Sequence, residues 1–379
     1  MRLGSKRTPA GLPSITVAWL MGVVLYAGGQ AAQPARPPMV EEVFKNVQVL
    51  KGIPVDEFMG TMGVFSAALG ISCEDCHTGA SNNWADYAQD VSPRKAMSRR
   101  MMQMVTALNK TSFGGRQVVT CYTCHRGSTR PKVTASLAGI YSASPPDEPG
   151  DVIGQVPGEP TADQILDKYT QALGGAQRLA SLTSFAAKGK SLGYGPEGER
   201  PIEVFAKSPN LRTTILHALD GDSTATFDGS TAWVAAPHRP VPVLALSGGE
   251  LGGVRLEAEL AFPARVKQAV PAWRVGNPVF IDDRKVQVVQ GTASGGTLVT
   301  LSFDSQSGLL VRLIRHANSA VGQLPTQVDY SDYRDVAGVK MPFKWTLTWL
   351  DGIEKVELSE IQANVSIDAA RFAKPAPPK

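Results

Sequence analysis

The sequence predicts an α+β multidomain chain, a mainly helical N-terminal domain followed by an antiparallel curved β-sheet or half-barrel. Three observations lead there. Between Val40 and Tyr141 apolar residues recur at helical spacing, and no stretch alternates like a strand. Residues 142–160, SASPPDEPGDVIGQVPGEP, concentrate proline, glycine and acidic side chains in the manner of a linker. After Gly174-Gly175 the apolar period changes to two, punctuated by turn residues. A length of 379 residues with 43% hydrophobic residues suits two globular domains and a tail.

Arg2, Lys6 and Arg7 precede an apolar run from Ile15 to Gly28, and the small residues Gly29, Ala31 and Ala32 follow. That is the pattern of an export signal over residues 1–32. An uncleaved membrane anchor is the competing reading, but the run falls short of the roughly 20 residues of a spanning helix. The first cysteine is Cys73, so this stretch offers no thiol for lipid attachment. Both readings place the protein in the periplasm or on the periplasmic face of a membrane.

Residues 33–141 then form the helical domain. Glu57 to Leu69 reads as a helix carrying Met59 and Met62, and Pro93 to Leu108 as another carrying Met97, Met101, Met102 and Met104. Residues 161–374 form the sheet domain and 375–379 a tail. The sheet domain opens on Thr161-Ala162-Asp163-Gln164, a capping box, with Ile165, Leu166, Tyr169, Ala172 and Leu173 at helical spacing before the glycine pair. Lys344 to Trp349 alternates cleanly, as do Val299, Leu301 and Phe303 against Thr300 and Ser302. Turns are expected at Asp228-Gly229, Asp304 to Gly308 and Asp351-Gly352, and a helical patch at Glu250 to Ala269.

The chemistry sits in two short stretches. Cys73-Glu74-Asp75-Cys76-His77 and Cys121-Tyr122-Thr123-Cys124-His125 both read C-x-x-C-H and together use all four cysteines of the chain. This is the attachment pattern of a c-type haem, in which two thiols add to the porphyrin vinyl groups and the next imidazole binds iron. The reading is two covalently bound c-type haems on Cys73, Cys76, Cys121 and Cys124, with His77 and His125 as proximal iron ligands. A structural zinc site or two disulfides are the other readings. The motifs lie 48 residues apart, each with its own histidine, which suits zinc poorly, and a disulfide leaves the histidine without a task.

Each iron takes a sixth ligand from methionine or histidine, or keeps that position open. His217, His238 and His316 all fall in the sheet domain, whereas a methionine-bearing helix precedes each motif. Met59 and Met62 on the first helix and Met97, Met101, Met102 and Met104 on the second are the candidates, and those that bind no iron suit core filling around a flat cofactor.

Asn46 to Leu50, the E-F-x-x-T-M pattern at Glu57 to Met62, Arg99-Arg100-Met101 with Met104, and Val119 to Gly127 together resemble the cytochrome c subunit of photosynthetic reaction centres. The resemblance covers roughly residues 40–135. It implies a dihaem electron carrier with Met62 as distal ligand opposite His77 and Met101 opposite His125. The family usually carries four haems; this chain has motifs for two, and residues 109–118, NKTSFGGRQV, lack the family's additional ligand histidine. The sheet domain weakly resembles the curved-sheet domain of outer-membrane lipoprotein-sorting carriers, through its opening helix ending in Gly-Gly, Val328 to Tyr333 and Gly338 to Phe343. That resemblance implies an apolar concave face for a hydrophobic ligand or lipoprotein.

Histidine and methionine together saturate the iron, which points to electron transfer rather than catalysis and leaves no catalytic residue to name. The expected partners are a redox donor or acceptor, a membrane complex first among them. The formal net charge of +4 has none of the clustering of a nucleic-acid binder. Arg94, Lys95, Arg99, Arg100, Arg116, Arg126 and Arg130 suit haem propionates, an acidic partner or a solvated helix face. Two other functions fit the same motifs: a peroxidase-type haem enzyme with one open iron site, and a lipid or lipoprotein carrier with redox-sensing haems.

Overall fold

Strands with period-two burial build one antiparallel sheet. The computed structural model describes residues 36–77, 84–134, 153–154, 156–193, 198–237, 239–293 and 295–378. The expected export signal, His238 and residues 142–152 of the expected linker lie outside the described residues. The strands are β1 (Ser184–Leu192), β2 (Glu199–Lys207), β3 (Leu211–Ala218), β4 (Gly221–Phe227), β5 (Ala232–Ala235), β6 (Val243–Ala245), β7 (Trp273–Val275), β8 (Val279–Ile281), β9 (Arg284–Thr292), β10 (Leu298–Asp304), β11 (Leu310–Ser319), β12 (Gly322–Val336), β13 (Val339–Trp349) and β14 (Gly352–Ala363). Their order is β6-β5-β4-β3-β2-β1-β14-β13-β12-β11-β10-β9-β7, with β8 also on β9. Two meanders are thus joined at the middle by the pairing of β1 with β14, where a bulge at Lys188/Gly189 shifts the register. A Cβ at Gly189 would stand 2.2 Å from the Glu357 carbonyl oxygen, so the close approach of the two strands there requires glycine.

The sheet curves, and the helices α5 (Ala162–Ala172), α6 (Ala176–Ser181) and α7 (Gly248–Leu260) cover one of its faces. Thr161 caps α5 through its hydroxyl and Gln164 returns the bond, so the expected capping box is present. Ile165, Leu166, Tyr169 and Leu173 from this helix pack on Phe303, Leu301, Leu313, Val328 and Met341 of the sheet. Burying each such side chain is worth about 1.5–3 kcal/mol. The expected turn after β10 forms as well: the Asp304 carboxylate accepts from the Gln306 and Ser307 amides at 3.1 and 2.6 Å.

The N-terminal helices are α1 (Val40–Val43), α2 (Val55–Leu69), α3 (Pro93–Ser112) and α4 (Cys121–His125). Residues 34–379 form one compact unit, and the helical segment is seated on the far end of the β11–β12 hairpin. Leu50, Val64, Met102 and Val321 make a separate small core there, with Phe58, Met62, Phe65 and Leu324 against it. The Asp56 carboxylate, 6% exposed, accepts from the Ser247 amide at 2.6 Å and its hydroxyl at 2.8 Å. Ile153 and Val156, within the Pro/Gly-rich stretch, are anchored on the sheet by bonds to Gln290 and Val275.

Phe303 is 1% exposed and its ring lies 5.0 Å from that of Tyr169. Phe303→Ala is expected to destabilise the sheet by about 3–5 kcal/mol. Equilibrium urea unfolding, followed by tryptophan fluorescence, measures the loss.

Candidate functional site

Each C-x-x-C-H stretch opens on a helical turn whose third residue is bonded to the residue before the first cysteine. Ahead of the first, the Ser72 amide and hydroxyl both donate to the Asp75 carboxylate, at 3.0 and 3.1 Å. Ahead of the second, Thr120 accepts from the Thr123 amide at 3.3 Å while its own amide donates to the Thr123 hydroxyl at 3.0 Å. The turn starts at the first cysteine, a 3-10 turn over Cys73–Asp75 and α4 in the second motif. On such a turn residues i, i+3 and i+4 share one face, so two thiols and an imidazole emerge together. Cys73 and Cys124 are exposed, Cys76 and Cys121 are half-buried, and all four are free.

Both histidines are half-buried and tethered by the same atom. His77 Nδ1 lies 3.1 Å from the Tyr87 carbonyl oxygen and His125 Nδ1 lies 2.9 Å from that of Ser128. A carbonyl can only accept, so Nδ1 carries the hydrogen and Nε2 presents its lone pair, as an iron ligand must. Burial, followed by the nearby Lys95 ammonium, pulls the His77 imidazole below its ordinary value and keeps it neutral. No three His, Cys, Asp or Glu side chains among the described residues converge to cage a metal ion. A haem needs a single imidazole from this set.

Met62 is half-buried on α2, packed on the same small core that Cys121 touches. Met101 is half-buried on α3, and Met59 is half-buried as well. Met97, Met101, Met104 and Leu108 fall at i, i+4, i+7 and i+11, one face of α3. Met97 and Met104 are 48% and 51% exposed, so protein does not cover this stripe. Free paired thiols, imidazoles tied back through Nδ1 and an apolar methionine stripe fit a covalently held porphyrin. Of the histidines in the sheet, His217 bonds Asp222 at 2.8 Å and His316 is buried on β11.

Helix α3 ties the motifs to one another. Near its start Arg94 pairs with Asp75 at 2.7 Å, and near its end Asn109 grips the chain ahead of the second motif. The Asn109 side chain accepts from the Val118 and Val119 amides at 3.1 and 2.9 Å and donates to the Val119 carbonyl at 2.7 Å. Fifteen helical residues set these anchors on the order of 22 Å apart. Helix α2 meets the second motif directly, since the Gly127 amide donates to Ala68 at 2.9 Å. Gly70, which ends α2 at φ +64°, would place a Cβ 2.4 Å from the Gly127 carbonyl oxygen.

Three of the basic residues that the sequence offers to propionates or partners are engaged within the chain. Arg94 holds Asp75, and Arg99 holds Asp90, whose carboxyl is drawn down to about 2 by that bond. Lys95, 9% exposed, donates to the Tyr87 and Gln89 carbonyls at 2.6 and 2.5 Å. The roles of Tyr87, Lys95 and Asn109 are invisible in the sequence, because each acts through main-chain atoms that any residue supplies.

A second feature lies under the helices of the sheet. Tyr169, Phe185, Leu260, Tyr330, Tyr333 and Trp345 help enclose a cavity of about 150 Å³, with Arg212 and Glu257 among its polar lining. That volume takes a group of benzene size. No helix among the described residues is long and apolar enough to cross a membrane.

The family model of the photosynthetic reaction centre cytochrome C subunit matches residues 24–141. The chain is 35% identical over 133 residues to the photosynthetic reaction center cytochrome c subunit of Rubrivivax gelatinosus, covering 34% of this chain and 33% of that protein. It is 40% identical over 99 residues to the subunit of Thermochromatium tepidum, covering 25% and 23%. The match thus spans about a third or less of these relatives' own length. Among solved structures, a LolA superfamily protein from Nitrosomonas europaea covers 57% of this chain and 99% of its own, at 15% identity and a TM-score of 0.40.

Gly70→Ala is expected to cost about 2 kcal/mol, since it forces an L residue into the left-handed region against a backbone oxygen. Chemical denaturation of Gly70→Ala against Gly52→Ala, whose Cβ would meet no atom within 4 Å, separates the clash from the backbone strain alone.

Proposed function

We propose that this protein is an exported dihaem c-type cytochrome that relays electrons between a membrane redox complex and another carrier. The observation that carries the reading is the matched pair of Nδ1-to-carbonyl bonds at His77 and His125, each directly after two free thiols. Cys73 and Cys76 hold one haem and Cys121 and Cys124 the other. His77 and His125 are the proximal ligands, and Met62 and Met101 close the distal positions in that order. Haem so held supplies one-electron chemistry, its iron alternating between ferrous and ferric.

The chain's own residues set the rest. The two carbonyls fix each imidazole tautomer and its orientation. The thioethers of Met62 and Met101 are weak donors that favour the reduced state and exclude a sixth exogenous ligand, so the domain carries electrons and performs no catalysis. The Lys95 ammonium, held against the Tyr87 carbonyl, adds positive charge beside the first site and disfavours the ferric form. The export signal of residues 1–32 and the C-x-x-C-H chemistry both agree with a periplasmic location.

The cavity under α5 and α7 favours an added role for the sheet domain, as a docking or hydrophobic-ligand module. At about 150 Å³ it takes one apolar group or a short length of acyl chain, not a whole lipid.

Reduced pyridine haemochrome with protein quantitation is expected to give two c-type haems per chain; a colourless or single-haem product overturns the reading. Met62→Ala and Met101→Ala are each expected to remove one methionine-to-ferric-iron absorption and to open one iron to exogenous ligands. Lys95→Met is expected to lower the potential of the first haem on the order of 50 mV, about 1 kcal/mol for one electron. Spectroelectrochemical titration resolves that shift.

A further inference from the structure

The cavity under α5 and α7 holds more polar chemistry than an acyl chain can use. Arg212 and Tyr330, both half-buried, line it from β3 and β12, which stand five places apart in the strand order. In a flat sheet that separation is about 24 Å, so the curl of the sheet is what brings the two side chains to one cavity. Glu257 reaches it from α7 and Tyr169 from α5, while Tyr333 and Trp345 add aromatic wall.

Tyr333 is settled within the chain, since its hydroxyl donates to the Leu310 carbonyl at 2.8 Å. The other polar groups of the lining are not. Among the described residues the Tyr169 and Tyr330 hydroxyls, the Arg212 guanidinium and the Glu257 carboxylate enter no hydrogen bond or ion pair. Tyr169 is 5% exposed, so its hydroxyl has little but the cavity to turn to. Polar groups withdrawn from water without partners are costly, and a ligand that bonds them is favoured over one that only displaces their water.

The donor and acceptor set selects the ligand. Arg212 only donates, Glu257 only accepts, and each phenol does both. A fatty carboxylate is repelled by Glu257 and an ammonium by Arg212, whereas a neutral hydroxyl, which donates and accepts, suits all four groups. A volume of about 150 Å³ is that of a single six-membered ring, and the surrounding aromatic side chains pack well on a planar one.

Resting on the reading of the sheet domain as a ligand module, we propose that this cavity is a site for a neutral aromatic ring bearing hydroxyl groups. The ligand oxygens accept from Arg212, their hydrogens go to Glu257, and the Tyr169 and Tyr330 hydroxyls complete the set. Binding makes and breaks no covalent bond.

The test titrates the fully reduced, anaerobic holo-protein with hydroquinone, p-xylene and octanoate, using calorimetry and the NMR shift of the Trp345 indole proton. Prior reduction prevents electron transfer from hydroquinone to the haems, and p-xylene copies its shape with methyl groups for hydroxyls. Hydroquinone is expected to bind roughly tenfold or more tighter than the other two, because a site built for hydroxyls rejects ligands without them. Arg212→Met and Tyr330→Phe are each expected to weaken hydroquinone about tenfold and to leave p-xylene binding as it was, which shows the cavity intact. Tyr333→Phe, whose lost hydroxyl is committed to Leu310, is expected to change neither.

Binding of p-xylene or octanoate as tight as that of hydroquinone overturns the hydroxylated-ring site and leaves the sheet a hydrophobic-ligand module. Unchanged hydroquinone affinity in Arg212→Met and Tyr330→Phe overturns the site as well. Neither heat nor an indole shift with any of the three strikes the ligand-module reading itself, so the two failures are told apart.

Discussion

Helix α2 is clamped at both ends, and the rest of the helical segment takes its position from that clamp. At one end a carboxylate with 6% exposure, Asp56, is satisfied by the amide and hydroxyl of Ser247 at the start of α7. At the other, Ala68 and Gly70 meet Gly127 backbone to backbone. A buried carboxylate without these donors costs several kcal/mol, so the register of α2 on the sheet is strongly specified. Because Gly127 follows His125 by two residues, the same helix that rests on the sheet also positions the second motif. Arg126 and Gly127, at φ +48° and +76°, make the turn that brings the amide round.

The two motifs share their internal geometry and differ in what supports them. A side-chain bond between the residue before the first cysteine and the third residue of the turn recurs in both, as does the tethering of Nδ1. His125 finds its carbonyl three residues on, within its own turn, so that support is local. His77 finds its carbonyl ten residues on, across a connection, and Lys95 converges on the same oxygen from α3. The first site is thereby joined to an aromatic stack and to a buried cation, whereas the support of the second stays within its own turn. The two motifs thus share a local geometry and sit in unlike surroundings.

The sheet brings a different logic to the same unit. Its two meanders close through β1 and β14, the first and last strands, and its apolar face receives helices from two separate places in the chain, 162–181 and 248–260. Packing α5 over this face leaves the cavity beside Tyr169 and Trp345. The small core of Leu50, Val64, Met102 and Val321 is where the two halves of the protein become one body.

What the amino-acid order determined by itself was everything of short range. The i, i+3, i+4 placement of two thiols and an imidazole, the capping box at Thr161 and the two-residue period of Val299 to Phe303 are each complete within a few residues. Helix and strand geometry converts such spacings directly into a shared face. The tertiary structure alone decided which carbonyl orients His77, that Lys95 lies inside rather than in solvent, that Trp84 and Tyr87 line up behind the imidazole, and that Asp56 bonds Ser247 across 191 positions. The physical reason is common to all four. Main-chain oxygens carry no signature in the sequence, and the free energy of burying a charge or stacking a ring depends on what the folded chain brings alongside it.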